Sequence, residues 1–148
     1  MDVENTVKLA LYQLVAEEAQ MPDASAIAEQ LHLSVEEVES AFERLFAKRL
    51  LVLEERSKSQ IRMAPPFSGV VTQHRVKIGD KQFYANCAWD SFGIAAALHA
   101  DADIESTCGD CGEVLEFQIR RNQAIALQST IAHFAVPSAL WWKDIIYT

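Results

Sequence analysis

The chain has 148 residues, half of them apolar, and a formal net charge of −8 from 13 basic and 21 acidic side chains. That apolar share can build a real core, in one ordinary domain or two small ones. The acidic balance works against nucleic acid as a partner, because affinity there rests on neutralising phosphates, and no apolar run reaches the roughly 18 residues of a membrane-spanning helix.

Residues 3–19 place Val3, Val7, Ala10, Leu11, Leu14 and Val15 at helix period, and Met21-Pro22 is the stop. Asp23 or Ser25 starts a second helix bearing Ile27, Ala28 and Leu31. After a short turn at His32-Leu33, Ser34 and Glu37 fit a capping box. The third helix runs through Ala41, Phe42, Leu45 and Phe46 to about Lys48. Leu50–Leu53 and Ile61–Met63 read as short strands around the polar turn from Glu54 to Gln60. Three helices and a two-stranded wing make a winged helix-turn-helix. The third helix carries Glu36, Glu37, Glu39 and Glu43 against Arg44 and Lys48. A major-groove reader needs basic or amide side chains there. A scaffold or dimer surface is therefore the favoured use, with the basic wing (Arg56, Lys58, Arg62) a weak counter-signal.

Ala64-Pro65-Pro66-Phe67-Ser68-Gly69 is the mid-chain stretch rich in Pro, Gly and Ser, and it marks the expected boundary. The expected fold is α+β: a winged-helix-like domain over 1–64, then a small mixed domain over 65–148 with a buried helix on a β-sheet. In the second part Val70–Thr72 and His74–Ile78 read as extended, ending at Gly79-Asp80. A helix follows to about His99. Asp103–Thr107 and Val114–Ile119 alternate around a Gly-containing loop, a hairpin signature. Ile125–Leu127 and Ile131–Val136 read as strands, Ser138–Lys143 as a short helical turn, and Ile145–Thr148 as a strand-like end. The N-terminus, Met1-Asp2-Val3-Glu4, has neither the basic nor the apolar region of a signal peptide, so a cytoplasmic location is expected.

Chemistry concentrates in Phe83–Leu98. Cys87 and Asp90 are three apart, on one face of a helix. With Asn86 as cap, Cys87 sits in the first turn, where the helix dipole favours thiolate. Spacing alone favours the plainer alternative, a structural cysteine with a capping aspartate. The other two of the three cysteines form Cys108-Gly109-Asp110-Cys111-Gly112. C-x-x-C-G in a tight turn is half of a zinc ribbon. No second C-x-x-C follows, so Cys87, His74, His99 or His133 would have to complete a four-ligand site. A redox pair and a turn with two unmetallated thiols stay open beside that reading.

Tyr84-Ala85-Asn86-Cys87-Ala88-Trp89-Asp90-Ser91-Phe92, the apolar helix after it and Ala102–Cys108 resemble the core motif of the alkylmercury (organomercurial) lyases. The resemblance spans most of the chain, is most specific over 83–119, and implies a winged-helix-like N-terminal part. It implies carbon–mercury bond protonolysis, with Cys87 as nucleophile and mercury ligand and Asp90 as proton carrier and second ligand. No cofactor is then required. Hg(II) or Zn(II) are the ions the thiols would hold, with Cys108 and Cys111 as further ligands. The implied partners are a small organometal or thiol-reactive substrate and small-molecule thiols, with no membrane. Trp89, Phe92 and Ile94 would suit a hydrophobic organic group. The family pairs two thiolates; matched over Val136–Tyr147, the second falls at or just past Thr148, so it is lost, lies beyond this sequence, or is replaced by Cys108 or Cys111. The C-x-x-C is itself a departure from typical lyases. The competing readings are a non-catalytic soft-metal or organometal thiol-binding protein and a metal-responsive winged-helix regulator.

Overall fold

The computed structural model describes residues 2–125 and 130–146. The fold is α+β. Helix α1 (Val3–Glu18) ends where Ala19 turns left-handed, ahead of Pro22. Helix α2 (Ala24–Leu31) is started by Asp23, whose carboxylate accepts from Ala26 N at 2.9 Å. Helix α3 (Val35–Ala47) opens with the expected capping box: Ser34 Oγ accepts from Glu37 N at 3.2 Å, and Glu37 Oε2 accepts from Ser34 N at 2.9 Å. The apolar stripes meet, burying Val7, Leu11, Val15, Ile27, Val38, Phe42 and Leu45. Each such side chain contributes about 1.5–3 kcal/mol on leaving water. Glu4, also buried, receives Lys48 Nζ at 2.6 Å and Arg44 Nε at 3.6 Å, which ties α1 to α3.

Three short strands follow, β1 (Val52–Leu53), β2 (Ile61–Ala64) and β3 (Phe67–Ser68), in an antiparallel sheet ordered β1-β2-β3. The proline stretch is the tight turn between β2 and β3, where residues without a ladder N–H do no harm. Gly69 packs against the β2 backbone so closely that a Cβ would lie 2.1 Å from Ile61 O.

The second sheet is ordered β5-β4-β6-β7-β8, antiparallel throughout, from β4 (His74–Ile78), β5 (Lys81–Tyr84), β6 (Ala102–Thr107), β7 (Val114–Arg120) and β8 (Gln123–Ile125). Gly79, at φ +59°, makes the β4–β5 hairpin turn. Helix α4 (Ala88–Ala97) leaves β5 and packs across β4 and β6. It covers the face carrying Val76, Phe83, Ile104, Phe117 and Ile119. One continuous apolar core runs from Val7 in α1 to Ile119 in β7. No helix among the described residues is long and apolar enough to cross a membrane.

Several expectations change. Lys81–Tyr84 is a strand, so α4 starts at Ala88 and ends at Ala97. The helix is buried on one face only: Ser91, Ile94 and Ala95 are inside while Trp89 is 61% exposed. Val70–Thr72 pairs with no strand, because Ser68 Oγ takes both the N–H and the C=O of Val70, at 3.2 and 2.8 Å. Ile131–Val136 is not a strand either; Ile131 and Phe134 are exposed, and the Phe134 ring packs on Trp89 and Trp141. Ser138–Lys143 does form a short 3-10 turn. Ile145 and Ile146 lie in a turn. Of the expected strand Ile125–Leu127, Ile125 ends β8, while residues 126 and 127 lie outside the described residues, as do 147 and 148.

Phe83 carries β5 into the core, so Phe83→Ala is expected to cost about 3–5 kcal/mol. Urea denaturation measures it; a loss below about 1 kcal/mol would show that the core does not depend on this ring.

Candidate active site

The site is built where β5 hands over to α4. Ala85 makes a single bridge to Phe67 of β3, which fixes the backbone just before the motif. Cys87 is the residue at the helix boundary, with extended backbone (φ −147°, ψ 175°), not a member of the first turn. Its carbonyl begins the helix by accepting Ser91 N at 3.2 Å and Ser91 Oγ at 3.4 Å. Asp90 lies in the first turn on the same face as Cys87.

Asn86 does not cap the helix. Its Nδ2 donates to Phe67 O at 3.2 Å and to Asp90 Oδ2 at 3.1 Å, so one amide anchors the carboxyl to β3. Oδ1 of the same amide is buried with no partner among the described residues.

Burial raises the Asp90 carboxyl above its ordinary value, and the Asn86 hydrogen bond only partly offsets that. The Cys87 thiol is raised as well, first by burial; the Asp90 amide pulls it down, the Asp90 charge pushes it up, and the Trp89 amide pulls it down again. The expectation of a dipole-stabilised thiolate is thus corrected. The helix amides do face the sulfur, but loss of water outweighs them. The arrangement keeps both groups in their protonated forms to higher pH than in water.

Tyr12 reaches the same place from α1, and no sequence signal announces it. Its hydroxyl donates to Pro65 O at 2.9 Å and its ring lies 6.2 Å from that of Phe67. Its phenol is raised by burial and, second, by the charge of Asp90. The aromatic surroundings divide. Trp89 faces outward with Phe134 at 6.3 Å, and Phe134 has Trp141 at 5.3 Å. Phe92 instead packs on Phe117 beneath the helix and Ile94 is fully buried, so these two belong to the core and not to a substrate wall.

Cys108 and Cys111 are elsewhere, in the turn joining β6 to β7. Cys108 N donates to Glu113 O at 2.7 Å and Gly112 N to Cys108 O at 3.0 Å. The Cys108 thiol is lowered, by the amides of Cys111 and Asp110 and by the Cys111 thiol. All three cysteines are free. Among the described residues no group of three or more His, Cys, Asp or Glu could hold a metal ion. The four candidate ligands therefore form two pairs rather than one cluster, and no histidine completes a zinc set. His74 is engaged with Ser106, Nδ1 to Oγ at 3.0 Å.

The alkylmercury lyase (MerB) family model matches residues 67–148. Among solved structures, that of the mercury-bound form of MerB2 superposes with a TM-score of 0.60 at 22% identity, over 82% of this chain and 65% of that one. The likeness at that identity is one of fold, and the chain spans just under two thirds of the solved protein. No curated protein matches by sequence.

Two outcomes follow from the electrostatics. In alkylation followed by peptide mass spectrometry, Cys108 should react at lower pH than Cys87, and Asp90→Asn should shift Cys87 reactivity to lower pH by removing the opposing charge; Cys87 reacting first would contradict the burial argument. Because the fold raises the Asp90 carboxyl, its stabilising contribution is complete below the unfolded value near about 4 and is lost as pH rises through the folded value. Asp90→Asn should therefore raise the melting midpoint at neutral pH, with the difference closing in acid; an equal or lower midpoint at neutral pH would overturn this.

Proposed function

The chain belongs to the alkylmercury lyase family, and from that membership we propose that it cleaves carbon–mercury bonds, with Cys87 as nucleophile and Asp90 as proton carrier. The observation that carries the assignment is the pair itself. A half-buried carboxyl, held by Asn86 one helical turn from a half-buried thiol, is raised toward the range where it can both take and give a proton.

The step balances without a cofactor. As the Cys87 sulfur bonds to mercury in R–Hg–X, its proton passes to the Asp90 carboxylate. Asp90 then delivers that proton to the carbon, the C–Hg bond breaks with its electron pair going to carbon, and R–H leaves. The products are R–H and Cys87–S–Hg–X. A second thiolate displaces X and strengthens the push on carbon; in the family this is a second cysteine, and a small-molecule thiol serves the same chemistry. Excess thiol then carries the mercury away. Trp89, with Phe134 beside it, offers an apolar surface next to the pair for the organic group.

In this reading residues 1–64 are a winged-helix-like scaffold and 65–148 the reacting part, in the cytoplasm, where thiols stay reduced. The charges support scaffold over DNA reader. Arg44 and Lys48 are turned onto Glu4, Lys58 onto Glu43 at 2.8 Å, and Arg62 onto Glu54 at 3.3 Å. Cations spent on internal carboxylates are not aimed at phosphates.

Incubation with an arylmercury salt and excess thiol, followed by chromatography of the free arene, tests the proposal. Arene release should vanish in Cys87→Ala. It should fall about 10²–10⁴-fold in Asp90→Asn, the usual worth of a positioned acid, while mercury uptake by that variant persists. Stoichiometric mercury binding with no arene from the native chain would leave the non-catalytic thiol-binding reading in its place.

A further inference from the structure

The Cys108–Cys111 turn is used by none of the chemistry above. We propose that it is a second, independent thiol site, in which Cys108 and Cys111 together chelate one thiophilic ion in two-coordinate fashion, with Hg(II) as the ion it suits.

The geometry of the turn carries this. The β6–β7 ladder brings its two ends together at the Thr107–Val114 pair. The loop between them is closed twice more, by Cys108 N to Glu113 O and by Gly112 N to Cys108 O. Gly112 at φ +75° supplies the left-handed step that bends the chain back after the second cysteine. The backbone holding both sulfurs is thus set before any ion arrives, which removes most of the ordering cost of chelation. Inside the turn the amides of Cys111 and Asp110 and the Cys111 thiol hold the Cys108 thiol below its ordinary value. Amides around a sulfur compensate the charge of a thiolate, as in the metal-binding knuckle that the C-x-x-C-G spacing suggests. Cys111 is exposed and Cys108 partly so, so an ion reaches both from solvent.

The ligand count selects the ion. Zinc asks for four ligands in a structural site. No third Cys, His, Asp or Glu joins the pair among the described residues. Two thiolates alone satisfy soft ions that take linear two-coordination, and soft sulfur ligands select soft metals. The exchange balances as Hg²⁺ plus two thiols giving one bis-thiolate complex and two protons released to solvent. The site stands whether or not Cys87 and Asp90 cleave anything.

The test uses the full chain carrying Cys87→Ser, which silences the other pair and leaves two thiols. It is titrated with mercuric chloride alone, while thiols lost to a disulfide reagent, protons released and the mass of the complex are followed, and the affinity is then read separately in competition with a monothiol. One Hg(II) per monomeric chain, two thiols lost and two protons released are expected. Adding Cys108→Ser or Cys111→Ser should each weaken binding about 100-fold or more, the gain a tethered second ligand provides. Circular dichroism confirms that each variant is folded. Equal affinity in either added variant, or a complex with the mass of two chains joined through one ion, overturns the proposal. Because Cys87 is absent throughout, failure here leaves the lyase reading untouched, and loss of arene release leaves this one untouched.

Discussion

Phe67 is the residue on which the candidate site depends. Its backbone pairs with Ala64 on one side and bridges Ala85 on the other, so it joins the two sheets. Its ring sits 6.2 Å from Tyr12 and 5.7 Å from Phe83, so helix and sheet close over it. Its carbonyl then accepts the Asn86 amide that holds Asp90. Beside it, Pro66 packs closely on α4 at Gly93, where a Cβ would lie 3.2 Å from the Pro66 Cβ. The β2–β3 turn is thereby the seat of helix α4. The N-terminal helices bear on the candidate site through it, with Tyr12 reaching the same turn.

Magnitudes decide the state of the Cys87–Asp90 pair. A helix start stabilises a neighbouring anion by about 0.3–1 kcal/mol, less than one pKa unit, which is worth about 1.36 kcal/mol. Burial of a carboxyl or thiol shifts it by as much as 3–5 units when complete. With both groups about half-buried, desolvation wins, and the shifts are upward for both. Both groups therefore keep their protons to higher pH than they would in water. Cys108 obeys the opposite balance: the amides of Cys111 and Asp110 and the Cys111 thiol outweigh its desolvation, and its thiol is lowered. One chain thus holds a thiol raised by burial and a thiol lowered by the turn it sits in.

Much was legible in the sequence wherever the information is local. The three N-terminal helices, the Ser34–Glu37 capping box, the β6–β7 hairpin and its C-x-x-C turn follow from period, cap and turn chemistry within a few residues. So does the shared face of Cys87 and Asp90, since three residues along a helix is a fixed geometry. The motif from Tyr84 to Phe92 was sufficient to indicate the family. Other elements failed. Ile131–Val136 alternates like a strand, yet its Phe134 ring is taken up by Trp89 and Trp141, and the Ser68 hydroxyl holds both polar groups of the Val70 backbone; alternation reports neither.

Only the tertiary structure decided how the candidate site is arranged. The sequence places Asn86 one residue before Cys87 and invites a capping role; the fold gives it to Asp90 and Phe67 instead, because β5 runs further than its composition suggests and α4 starts later. Tyr12 joins through contacts with residues more than fifty positions away, which no periodicity can report. The direction of the Cys87 and Asp90 shifts depends on how much water the packed chain removes. That is a property of the assembled core, and the residues alone determine it only by folding.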